Sequence, residues 1–232
     1  MKNIFQTTLL STAIAISFAT FTPAQAGSSN EKSGGGSLSG NIGFMSEYIS
    51  RGVPLSNEKL SMKGGLQYNV GNGIYAGFIA ISDGDISPYG EVDAYFGYTY
   101  EFSKDLQLHA KLLSYQFPYA DSGPAHYEEV SLLLRYKIFE IGVDRAVNKN
   151  VKGDMYYHVD VQKPLNKDFS VGATIGYNDF AIANDPSNEF DYAHYKVNAS
   201  WKDFTLALEN NDNDLFDIDN KVTLDWTKHF SF

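Results

Sequence analysis

Residues 222–232 read VTLDWTKHFSF, with Val222, Leu224, Trp226, Phe230 and Phe232 on one parity and Thr223, Asp225, Thr227, His229 and Ser231 on the other. Period-two alternation of this kind gives an extended strand one apolar and one polar face. Read as the last strand of the chain, it has nothing after it to cover the apolar side, and in water such an edge invites aggregation. A closed barrel in a membrane removes the difficulty. The last strand pairs with the first, and lipid covers the apolar face. A terminal aromatic preceded by alternating aromatics also resembles the sorting signal of bacterial outer-membrane barrels, with the assembly machinery as the implied partner.

The same alternation recurs upstream. Leu60, Met62, Leu66, Tyr68 and Val70 oppose Ser61, Lys63, Gln67 and Asn69, and Val92, Ala94, Phe96, Tyr98 and Tyr100 oppose Glu91, Asp93, Tyr95 and Thr99. Leu132, Leu134, Tyr136 and Ile138 are followed by Phe139, Ile141 and Val143, a parity switch that keeps one face outward through a hairpin. The first strand is expected over Leu38–Ser50, with an outer loop over Arg51–Lys59. Ile74 to Ser82 is apolar on both faces, which leaves its orientation open. The whole pattern predicts an all-β, antiparallel transmembrane β-barrel of about twelve strands, an even number as single-chain bacterial barrels require. Short connections alternate with long ones along the chain. That places the short turns and both termini in the periplasm and the long loops outside. Tyr68, Tyr100, Phe102, Tyr136, Phe139, Phe169, Trp201, Phe204 and Phe230 gather near the short-turn end as an aromatic girdle. The rival is a secreted sandwich or lipocalin-like barrel, which inverts the faces. Loop alternation, the girdle and Phe232 favour the membrane.

Met1–Ala26 has Lys2, an apolar stretch over Leu9–Phe21 and Ala24-Gln25-Ala26, the plan of a cleaved secretory signal peptide. Residues 27–37, GSSNEKSGGGS, form a flexible lead-in, and 38–232 are expected to be one barrel domain. The chain has no cysteine, so disulfides do not stabilise it after export. Aromatic residues make up 15%, including 16 Tyr and 16 Phe, a richness that suits interfacial girdles and that a β-sandwich core could also use. A net charge of −10 argues against a nucleic-acid partner.

Three motifs carry a family resemblance: Ser46-Glu47-Tyr48-Ile49-Ser50-Arg51-Gly52-Val53-Pro54, Gly73-Ile74-Tyr75-Ala76-Gly77, and Glu91-Val92-Asp93-Ala94-Tyr95-Phe96-Gly97-Tyr98. In order and content they resemble the TorF-type porin family of proteobacterial proteins, and S-[DE]-Y-x-x-R-G is the most specific element. The resemblance implies an outer-membrane barrel with a pore role. It supplies no substrate and no catalytic residue.

Twelve strands spaced near 4.8 Å and tilted about 40° enclose a backbone radius of roughly 12 Å, a lumen that side chains can tune or plug. The pore-lining candidates are Glu47, Arg51, Lys63, Glu91, Asp93, Lys111, Glu129, Arg135, Lys137, His158, Asp160, Lys196 and Glu209; His109, Asp144 and Asp225 share their parity. Such charges either form opposed rows that select among permeating solutes or pair with one another and fill the interior. Arg51 and Glu47 share one parity near the mouth, as a gate charge or as the anchor of a loop whose turn Gly52 permits. Asp83, Asp85, Asp185, Glu189, Asp212, Asp214, Asp217 and Asp219 crowd the loops and favour cations at the mouth.

The expected function is passive diffusion of small hydrophilic solutes or ions, with outer-membrane lipids and lipopolysaccharide as surroundings. Residues 212–220, DNDLFDIDN, lack the glycine and terminal glutamate of an EF-hand loop and read as a solvated acidic loop rather than a metal site. No cofactor motif stands out. A lipid-modifying enzyme is disfavoured by the lack of G-x-S-x-G and by the inward parity of His109, His158, His194 and His229. A non-conducting structural or adhesive barrel differs from a channel in its conductance alone.

Overall fold

A computed structural model describes residues 36–82, 90–118, 125–148, 153–180, 191–212 and 220–232. The expected signal segment, nearly all of the lead-in and most of the acidic loop residues lie outside this set. The elements are β1 (Ser37–Met45), β2 (Ile49–Ser50), β3 (Val53–Pro54), β4 (Ser61–Gly71), β5 (Ile74–Ile81), β6 (Glu91–Ser103) and β7 (Leu106–Phe117). They continue with β8 (Ala125–Tyr136), β9 (Phe139–Ala146), β10 (Met155–Pro164), β11 (Phe169–Asp179), β12 (Tyr192–Trp201), β13 (Phe204–Asn211) and β14 (Lys221–Ser231).

Twelve of these strands, β1 and β4 to β14, close into an antiparallel barrel of sequential neighbours, while β2 and β3 pair only with each other. Closure is made by β1, which pairs with β14 from Ser39↔Ser231 to Met45↔Asp225 and with β4 from Ser37↔Asn69 to Met45↔Ser61. The alternation of 222–232 thus becomes the seam strand, with Phe44 and Trp226 stacked outside it at 5.8 Å. The tight turns form where residues accept left-handed backbone: Asn72 (φ 53°) and Gly73 (φ 84°) join β4 to β5, and Lys137 (φ 56°) and Lys202 (φ 53°) turn two later hairpins.

The outer surface is apolar all round: Ile42, Phe78, Phe96, Leu112, Ile141, Val159, Ile175, Val197, Leu206 and Leu224 are exposed. Leaving such a side chain in water forfeits about 1.5–3 kcal/mol. Repeated around every wall, this outer face suits hydrocarbon, and the sandwich alternative fails because the apolar parity points out. Tyr68, Tyr100, Phe102, Tyr136, Phe139, Trp201 and Phe204 are exposed at the short-turn end, as the girdle predicts, with Phe169 and Phe230 half-buried beside them.

The expected first strand is too long: the strand stops at Met45 rather than Ser50, and residues 47–56 turn into the barrel instead of forming an outer loop, with residues 57–60 exposed on the way back to β4. Glu47, Ser50, Arg51 and Ser56 find polar partners inside, and Tyr48, Val53 and Leu55 join an internal apolar cluster with Ile79, Ile81, Leu113 and Phe117. This also settles β5. Its even residues face out, while Ile79 and Ile81 face in because the folded-in segment packs on them.

Candidate functional site

The folded-in segment is built around a two-residue turn. Ser50 pairs with Val53 across Arg51 and Gly52, both with positive φ (48° and 79°), the geometry of a type I′ hairpin. Gly52 is required twice over: its φ is left-handed, and a Cβ there would stand 2.5 Å from His194 Cβ. Arginine in a left-handed conformation costs about 1–2 kcal/mol, so its side chain must return more than that.

It does so on the opposite wall. The Arg51 guanidinium donates from Nη1 and Nη2 to the two oxygens of Glu129 at 3.1 and 3.0 Å, and from Nη2 to Asp144 at 2.8 Å. Its carbon lies 4.1 Å from the centre of the Tyr156 ring. Tyr115 and Tyr127 each donate a hydroxyl to Glu129, at 2.9 and 3.0 Å. Arg51 is 4% exposed and Glu129 is 2% exposed. Removing one member of so buried a pair leaves a charge uncompensated, at about 3–5 kcal/mol.

Other contacts fix the rest of the segment. Asn211 Nδ2 donates to the Gly52 carbonyl at 2.7 Å, Tyr48 Oη to Glu91 at 3.4 Å, and the Glu58 amide to Glu47 at 2.9 Å. Lys221 lies 2.5 Å from Glu58 and 3.7 Å from Glu47. The Lys221 ammonium, by hydrogen bond and charge, holds the exposed Glu58 carboxyl below its ordinary value. At this level the inward positions on successive strands are buried: Ser61, Ile81, Asp93, Tyr115, Glu129, Asp144, Tyr156, Asn178, His194, Glu209 and Thr223. Among the described residues, side chains pack across the lumen at this level.

The remaining candidates sort by level and partner. Lys63 bonds Asp225, Arg135 bonds Glu140 at 2.7 Å, and Lys196 lies 3.8 Å from Glu209. His158 lies 2.5 Å from Asp160, which also accepts from Thr174. Lys111 points inward opposite Ser131, the residue that pairs with Asp144. Glu91 and Asp93 are buried on β6. Lys137 is a correction: the two-residue turn takes it off the wall, exposed at the rim, with its ammonium 5.3 Å from the outward Tyr136 ring. Pairing, rather than free opposed rows, is therefore the dominant arrangement among the described charges. Tyr115, Tyr127, Tyr156, Asn211 and Lys221 join the site with no motif to mark them, beside His194, whose inward parity was legible. The one available signal was their inward parity.

Fold and site together define a closed, twelve-stranded transmembrane β-barrel with the segment after its first strand folded into the lumen. The chain belongs to the family described as "Bacterial protein of unknown function (Gcw_chp)", whose model matches residues 29–221. Among solved structures it is similar to the KdgM porin, with a TM-score of 0.55 and 10% identity over 84% of this chain and 99% of that one. The KdgM porin in complex with disordered oligogalacturonate gives 0.54 and 10% over the same shares. A structure titled "Unveiling the Mechanism Behind the in-meso Crystallization of Membrane Proteins" gives 0.57 and 9%, over 84% of each chain. At such identities the likeness is one of fold. No curated protein gives a significant match.

Proposed function

We propose that the protein is an outer-membrane channel for small hydrophilic solutes or ions, held closed in this conformation by residues 46–60. The observation that carries the reading is the pairing of an apolar outer belt with a charged, hydroxyl-rich lumen inside one closed sheet. The TorF-type resemblance, centred on the segment that enters the lumen, supports the same role. In this reading a cleaved signal exports the chain, the C-terminal strand engages the assembly machinery, and both termini and the short turns face the periplasm. Residues 46–60 then enter from the outer mouth, among lipopolysaccharide. Net acidity favours cations over anions.

The test is conductance of the purified protein in planar bilayers under asymmetric salt. Discrete openings with a cation-directed reversal potential support the proposal. Silence from both the intact protein and a variant lacking 46–60 refutes the channel, and anion preference refutes the selectivity.

A further inference from the structure

The closing contact has the form of a binding site with an occupant. Around the Arg51 guanidinium stand two carboxylates, Glu129 and Asp144, and the face of Tyr156, while Tyr115 and Tyr127 hold Glu129 in place through their hydroxyls. The set comes from four strands of the wall, β7 to β10, and its members are buried. Two in-plane acceptors and an aromatic face match a planar cation with several N–H donors more closely than a bare metal ion or a lone ammonium. Lys111 lies on the same wall, so the surroundings are not uniformly acidic, and the selectivity comes from the fork-shaped donor geometry.

The occupant sits on a separable element. The hairpin β2–β3 pairs with itself and with no barrel strand. Ser46 N, at the base of the segment, donates to the Leu224 carbonyl, and at the tip the Gly52 carbonyl accepts from Asn211. Withdrawing it leaves every barrel ladder intact. Withdrawal exposes the apolar contacts that Tyr48, Val53 and Leu55 make on the wall, and it strips Glu129 and Asp144 of the Arg51 counter-charge. A solute carrying the same group relieves the second of these.

We infer that the pocket formed by Glu129, Asp144 and Tyr156 is a lumenal binding site for guanidinium-bearing solutes, and that Arg51 is its resident occupant, exchanged for the solute when the channel opens. The second half of this statement rests on the channel reading; the first does not.

The probe is methylguanidinium. In detergent, R51A leaves the pocket without its occupant, and millimolar methylguanidinium should raise the unfolding temperature of R51A by several degrees. Equal sodium should not, and the R51A/E129Q double variant should not respond. Should R51A fail to fold alone, refolding with methylguanidinium should restore the heat-modifiable band on electrophoresis, and equal sodium should not. A folded R51A with an unchanged unfolding temperature overturns the binding site, as does an equal response in the double variant. In bilayers the intact channel should open several-fold more often with methylguanidinium on the outer side. A site that binds by the thermal test without changing open probability overturns the exchange alone, and silence of both the intact protein and the variant lacking 46–60 overturns the channel.

Discussion

Arg51 and Glu129, 78 residues apart in the chain, meet in the lumen as a bidentate pair at 3.1 and 3.0 Å. The arginine sits at the tip of the β2–β3 hairpin that follows β1, and its second acceptor, Asp144, stands on β9, six strands from β1 in either direction around the barrel. One side chain thus ties the first loop to the far wall. Because the pair is buried, R51A and E129Q should each lower stability by about 3–5 kcal/mol and raise conductance. Thermal unfolding in detergent and single-channel recording check both, and an unchanged closed level in R51A would deny the segment its stopper role.

The same tie depends on its neighbour. Alanine at Gly52 would take a left-handed φ at about 1–2 kcal/mol and would also press its Cβ on His194. G52A should therefore loosen the hairpin without touching an ion pair and give intermittent openings of the R51A type. R51A/G52A should add little to either single change, since both act on one element. Full additivity in a double-mutant cycle would show that they act separately.

Replacing residues 46–60 by a short Gly/Ser link should leave the barrel folded, because its ladders run through β1 and β4 to β14 without β2 and β3. The core cluster loses Tyr48, Val53 and Leu55, so Ile79, Ile81 and Phe117 become wet and the unfolding temperature falls. Conductance should change from rare openings to a steady open level. Where the intact protein opens, a folded variant that conducts no better would show that another segment closes the lumen.

The barrel was legible because its rule is local. Period two and the alternation of loop lengths gave strand number, outward face and seam from residues read one strand at a time, as in 222–232. The stopper was not legible, because it depends on contacts across the lumen that no local pattern records: Arg51 with Glu129, Gly52 with His194 and Asn211. Even so, the chain carried two traces of it. Ser50-Arg51-Gly52-Val53 fits a two-residue turn inside a stretch that otherwise alternates as strand, and Ile79 and Ile81 put apolar side chains on a lumenal face. In a barrel, an apolar inward position signals that something other than water lies against it. Lys137 was misplaced for a smaller reason. Its parity continues β8, but a left-handed φ of 56° ends the strand one residue earlier.

Acid should loosen the stopper at its rim. Lys221 holds the Glu58 carboxyl below its ordinary value, so the contact stabilises the folded-in segment above the unfolded carboxylate pKa and loses that contribution as pH falls through the lowered one. The window lies at or below about pH 4, where an ordinary glutamate titrates. Glu58 is fully exposed and its partner sits near the mouth, so salt screens the pair and the effect at neutral pH is small. Open probability should rise on acidification below that range, and E58Q should show a smaller rise because its side chain no longer titrates. At neutral pH E58Q should open somewhat more often than the unaltered channel, most clearly at low ionic strength. An acid response of equal size in E58Q would assign the titration to another group.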